Sequence, residues 1–253
     1  MHFIAKRQHA VDSIRLAFRH LLTRCQCSPS LVRMNYLAER RLEEKEARRN
    51  QIVDAAEEVY ADIGWEATTI DQVARRARLS RALVYVYFKD KVDLHAAICE
   101  RALRMLGERF QQTAARLTRG IDKIEALGRS YVGFSLEVPH YFSALAHFQA
   151  QEAKSVEPQS NQAAYMMAGD CVHEIIVECI EAGVKDGSIR GDLGNPYLTA
   201  VTLWGFMHGI IQLCATKANM FAADGISTQQ LVEHSLRMVA LGMTPPNPSP
   251  SID

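Results

Sequence analysis

The chain has 253 residues, 48% of them hydrophobic, enough for one large core or for a small domain joined to a larger one. Lys plus Arg and Asp plus Glu number 29 each, so net charge gives no sign of nucleic acid; a DNA binder of this composition must concentrate its positive charge locally. No apolar run is expected to approach the ~20 residues that span a bilayer. The six cysteines, Cys25, Cys27, Cys99, Cys171, Cys179 and Cys214, lack framework spacing, which predicts reduced thiols in a cytoplasmic protein. The Cys25-x-Cys27 pair alone is too little for zinc.

Residues 1–33 are rich in Arg, Lys and His, with Asp12 as the acidic exception. Three readings compete for them: a basic DNA-binding arm, a small docked helix, or upstream sequence read from a misassigned start, since Met34 opens a natural beginning. Disorder or a misassigned start is the expectation, because termini without core anchors are mobile.

From Glu43 to Asp62 the apolar positions Ile52, Val53, Ala56, Val59, Tyr60 and Ile63 follow helical spacing, and Gly64 ends that helix. Thr68 or Thr69 caps a second helix that runs to Ala77. Ser80 caps a third, and Lys89 or Asp90 opens a long fourth helix towards Leu117. Helices follow over Ile121–Val138, from Pro139, over Ala163–Lys185 with a stop at Gly187, and over 196–215 and 228–241. Glu152–Ser160 reads as a polar loop, and the Pro-rich tail 245–253 is expected to be disordered. No strand alternation or fixed repeat is seen, so the fold class is all-α. The division is an extension 1–33, a three-helix DNA-binding domain 34–92, a helical domain 93–244, and the tail.

Residues 69–91, TIDQVARRARLSRALVYVYFKDK, read as two short helices around a tight turn, the layout of a helix-turn-helix. Between Arg75 and Lys91 one charged residue, Asp90, is acidic. Val84 and Phe88, four apart, form the buried side of the third helix. Arg81 and Tyr85, also four apart, share the groove-facing side, where Arg takes guanine O6 and N7 together and Tyr meets a thymine methyl or a phosphate. Tyr87, Lys89 and Lys91 flank the helix and suit phosphates, and Thr69 has a hydroxyl and a backbone N–H to offer one.

Residues 48–94 closely resemble the N-terminal domain of TetR-type (TetR/AcrR family) transcriptional regulators. The resemblance rests on Ile52, Ala55-Ala56, Gly64, Thr69, Val73-Ala74, Ala77, Leu79-Ser80, Val84-Tyr85, Tyr87-Phe88-Lys89, Lys91 and Leu94. It implies DNA reading by this domain, with Thr69, Ser80, Arg81, Ala82, Tyr85, Tyr87 and Lys91 on DNA-facing positions. It also implies a C-terminal helical domain that binds a small molecule and dimerises. Three residues depart from the family pattern. Arg78 stands where glycine is usual, so the turn is either not left-handed or strained. Ala82 replaces a common glycine, and Leu83 replaces a common threonine.

The Trp204…His208-Gly209 pattern looks like that of the penultimate helix of such regulators, which implies homodimerisation through 196–215 and 228–241. A pocket is expected among the fourth to eighth helices, with Tyr131, Phe134, Phe142, Phe148, Tyr165, Met166, Cys171, Trp204 and His208 as candidate ligand-binding residues. The same stripe at helical spacing also suits ordinary core. His140, His147, His173 and His208 offer polar handles in that pocket or a metal site, but Cys171 and His173, two apart, do not share a helical face, and no phosphate loop or nucleophile elbow appears, so no metal, cofactor or enzyme activity is expected. The expected function is a ligand-responsive repressor that binds a palindromic operator as a homodimer and is released by an apolar or amphipathic effector. The alternative is an adaptor or activator of the same fold.

Overall fold

A computed structural model of the chain describes residues 29–149 and 156–246, with side chains from Glu39 onward. Nine helices and no strand are found among the described residues. They are α1 (Pro29–Ala67), α2 (Ile70–Arg76), α3 (Arg81–Tyr87), α4 (Lys91–Ala114), α5 (Gly120–Glu137), α6 (Pro139–Gln149), α7 (Asn161–Asp186), α8 (Pro196–Ala223) and α9 (Thr228–Met243).

Residues up to Arg49 form a unit of their own. Within it residues 39–48 are exposed helix, on which Arg40 and Glu44 pair at one-turn spacing across 2.9 Å. Helix α1 therefore starts well before Glu43, because this stretch of Glu, Arg, Lys, Ala and Leu has high helix propensity without apolar periodicity. The expectations for residues 1–28 and for 247–253 lie outside the described residues, as do Cys25, Cys27 and part of the Glu152–Ser160 loop.

The second unit starts at Asn50. Gly64 interrupts α1 with φ 76° and ψ 165°, a conformation open to glycine and strained for other residues. Thr69 then caps α2 in a reciprocal box with Gln72, Ser80 caps α3 by accepting from the Leu83 N–H, and Asp90 caps α4 by accepting from the Asp93 N–H. Gly187 closes α7 in the left-handed conformation, and Asn195 with Pro196 opens α8.

Helix α4 is the spine of the core. It buries Leu94, Ile98, Ala102, Leu106 and Phe110, chiefly against α5, α6 and α7. At Gly120 and Gly183 the backbones of α5 and α7 approach so closely that a Cβ on Gly120 would lie 2.2 Å from the Gly183 Cα. The Gly120 and Ile121 N–H groups at the start of α5 donate to Asp186 and Ser188 at the end of α7, which fixes that corner.

Helix α8 runs to Ala223, eight residues beyond the expected end at Ala215. By length and composition it is apolar enough to cross a membrane, against the expectation that no run approaches that length. One face, with Ala200, Met207 and Ile211, packs on the core, while Leu198, Phe206, Leu213 and Met220 stand exposed on another.

Candidate nucleic-acid interface and internal cavity

Helices α1 to α3 share a small apolar centre of Ile52, Val53, Ala56, Val73, Ala74, Val84 and Phe88. Val84 and Phe88 are fully buried, as their spacing requires. The turn between α2 and α3 is closed by N–H donation from Leu79 to the Ala74 carbonyl at 2.9 Å and from Arg78 to Arg75 at 3.1 Å. Arg78 has φ 57°, so the turn is left-handed with a side chain where glycine costs least.

That geometry presents Arg81, Ala82, Tyr85 and Val86 outward. The Arg81 side chain is 60% exposed. Its guanidinium donates to the Tyr85 hydroxyl at 3.3 Å, lies 5.5 Å from the Tyr85 ring centroid, and reaches Asp71 at 3.3 Å. These contacts are long and solvated, so a base edge competes easily for the same donors. Arg76 instead is tied to Glu58 and Asp62 at 2.9 and 2.7 Å. Arg75, Arg78 and Lys89 are exposed. Val86 was not singled out by sequence, yet it is 73% exposed beside Tyr85 and is able to meet a thymine methyl. The signal was its place off the Val84–Phe88 side of the helix.

Two candidates are internally engaged. The Thr69 N–H donates to the Gln72 side chain at 2.8 Å, and its hydroxyl caps the helix. The Lys91 ammonium donates to the carbonyls of Trp65 and Glu66 and lies 4.5 Å from the Trp65 ring centroid; burial lowers its pKa. Ser80 spends its hydroxyl on the α3 cap, and Tyr87 is half-buried against the core.

In the larger domain, an apolar cavity of about 40 Å³ lies among α4, α5, α7, α8 and α9. Of the nine expected ligand-binding residues, Tyr131 and Trp204 line it. Phe142 lines a wider groove of about 710 Å³ between α5, α6, α8 and α9. His208 lines neither but touches one lining residue of each, pairing with the Tyr131 hydroxyl at 2.8 Å and placing its ring centroid 4.9 Å from that of Phe142. The other five lie elsewhere. Phe134 is fully buried and stacks on Tyr141; Phe148 packs edge-on against Tyr165; Met166 is half-buried; Cys171 is exposed. Burial pushes the Tyr131 phenol well above its ordinary value, an effect that the Trp204 indole partly offsets, and it lowers the His208 pKa. No cluster of three or more possible metal ligands is found among the described residues.

A sequence pattern of bacterial regulatory proteins of the tetR family matches residues 52–98, and a tetracyclin repressor-like C-terminal domain matches residues 124–239. The transcriptional activator FasR of Mycolicibacterium smegmatis is 29% identical over 90 residues, 36% of this chain and 41% of FasR. The chain thus aligns with less than half of that relative's length. The transcriptional repressor KstR2 of the same organism is 25% identical over 147 residues, 58% of this chain and 70% of the relative. The crystal structure of the Bacillus subtilis regulator FadR, in complex with stearoyl-CoA, superposes with a TM-score of 0.60 at 17% identity, covering 76% of this chain and 97% of that one. The exposed recognition helix, the all-helical partner domain and both matched segments place the chain in the TetR family of bacterial DNA-binding transcription regulators.

Proposed function

We propose that the chain acts as a homodimeric, ligand-responsive repressor that binds a palindromic operator and lets go when an apolar or amphipathic effector enters the larger domain. The observation that carries the dimer is the unpartnered apolar face of the last two helices. Leu198, Phe206, Leu213 and Met220 on α8 and Met238 and Leu241 on α9 are all exposed, with Leu241 at 71%. Exposed apolar side chains in this number on two helices suit a self-complementary interface. Gly205 and Gly209 lie on the same helix with no neighbour within reach of a Cβ, which leaves room for close helix approach by a second copy. Two recognition helices held ~34 Å apart would then read two half-sites, and an effector that favours another spacing would release the DNA by population shift.

The small-molecule part of the reading is supported by the apolar cavity and by FadR, a structural neighbour in complex with stearoyl-CoA. Repression is supported by the repressor KstR2. The activator FasR favours a second reading, in which the same dimer recruits rather than blocks transcription. Footprinting on the DNA upstream of the protein's own gene tests both. Two protected half-sites one helical turn apart, overlapping the promoter, are expected; protection of a single half-site contradicts the dimer, and protection wholly upstream of the promoter favours activation.

A further inference from the structure

The cavity and the groove are separated by three rings. Tyr131 lines the cavity, Phe142 lines the groove, and their ring centroids are 5.9 Å apart, edge to face. His208 bridges them through its hydrogen bond to Tyr131 and its contact with Phe142. At about 40 Å³ the cavity holds far less than the roughly 150 Å³ that accommodates a benzene ring, whereas the groove has the size of a ligand site. A ligand seated in the groove therefore meets the Phe142 ring as the partition between itself and the apolar interior.

Charge selects what passes. No charged side chain lines the cavity. At the groove, Arg129 and Glu233 both line the wall and are bonded to each other, and Arg129 also reaches Glu125, so its charge is satisfied within the cluster. An isolated carboxylate moved into the apolar space would lose its hydration without a partner. Polarity is confined to the partition. With the Tyr131 hydroxyl donating to Nδ1, the neutral His208 ring carries its proton on Nε2, for which no hydrogen bond is found among the described residues.

We propose that cavity and groove form one two-part site, opened by displacement of the Phe142 ring, which takes an elongated uncharged molecule bearing a single carbonyl oxygen that accepts from the His208 Nε2–H. This rests on the effector reading above and names the chemical class the effector domain admits. Ketones, esters and thioesters share that carbonyl chemistry, whereas free carboxylates lack the neutral charge the site requires. The Tyr131 hydroxyl is a positioning group: it fixes the His208 tautomer.

The test is titration of the full chain with dodecan-2-one, dodecanoate and dodecane, read by the emission of Trp204, which lines the cavity and is one of two tryptophans in the chain. Trp204→Phe identifies its share of the signal. Dodecan-2-one is expected to quench saturably, with dodecanoate at least tenfold weaker. His208→Phe and Tyr131→Phe should each weaken the ketone about tenfold while leaving dodecane unchanged, and Phe142→Ala should speed ketone entry. Equal affinity for ketone and carboxylate, an unaltered ketone affinity in both ring variants, or no quenching by any probe overturns the proposal. Operator binding is measured on the same samples. Its absence would count against the regulator reading, whereas quenching that leaves the operator bound would retain the site and separate it from DNA release.

Discussion

The imidazole of His95 lies flat against the indole of Trp65, with ring centroids 3.9 Å apart and planes 29° apart. Trp65 closes the end of α1 just beyond Gly64, and His95 belongs to the first turns of α4. The His95 Nε2–H donates to the Ala144 carbonyl of α6 at 3.1 Å, so one ring joins α1, α4 and α6. Its Nδ1 is buried without a hydrogen-bond partner. The ring is therefore held neutral: burial, assisted by the nearby His147 and Lys91, lowers its pKa from 6.5 to about 4.

That depression makes stability depend on acid. Above pH 6.5 His95 is neutral in the folded and unfolded chain alike and contributes no slope. Between pH 6.5 and about 4 the unfolded chain takes up a proton that the folded chain refuses, so stability falls as pH falls, by roughly 3 kcal/mol across the window. Urea unfolding at pH 7.0, 5.5 and 4.5 measures this. His95→Phe, which keeps a flat ring against Trp65, is expected to show a shallower loss; a parallel loss in both proteins contradicts the assignment.

Arg78 holds φ 57° in the turn between α2 and α3. A left-handed L-residue costs on the order of 1 kcal/mol relative to glycine, so Arg78→Gly is expected to raise thermal stability by about that amount. A lower melting temperature would mean that the arginine side chain contributes more than its backbone costs.

The basic residues of the interface should separate by role. Arg81→Ala is expected to relax sequence preference if its exposed guanidinium reads a base, as proposed. Lys89→Ala is expected to weaken specific and random DNA alike and to lower the salt slope by about one. Lys91→Ala should lower the melting temperature as well, since its ammonium holds the Trp65 and Glu66 carbonyls. Anisotropy titrations over a salt series, paired with melting curves, distinguish the three.

In the proposed homodimer the exposed apolar face of α8 forms the interface. Leu213→Glu places a charge there without touching the buried side that holds Met207 and Ile211. Sedimentation is expected to show a folded monomer, with operator affinity reduced at least a hundredfold because one half-site contributes alone. A dimer that survives this substitution would place the interface elsewhere.

Much of the DNA-binding half was legible in the sequence because its signals are local. Thr69, Ser80 and Asp90 act as caps within three residues of their partners, and Val84 and Phe88 declare a buried side by spacing alone. The left-handed turn at Arg78 could be posed as an alternative but not decided, since only backbone geometry decides it. The larger domain was less legible. Phe134, Phe148 and Tyr165 share their chemistry with Tyr131 and Trp204, and which aromatic borders a void depends on helix packing across long sequence separations. The engagement of Lys91 with carbonyls some 26 positions away, and the pairing of Trp65 with His95, are likewise tertiary. The early start of α1 was missed because charged, helix-prone sequence has no apolar rhythm.

Fluorescence anisotropy of the purified protein on DNA from upstream of its own gene, against random DNA at fixed salt, tests the central claim most directly. Sequence-specific regulation predicts tight binding that exceeds random DNA by ~10³ or more and collapses to the random level in Tyr85→Ala. Equal, weak binding to both DNAs, unaltered by Tyr85→Ala, would contradict it.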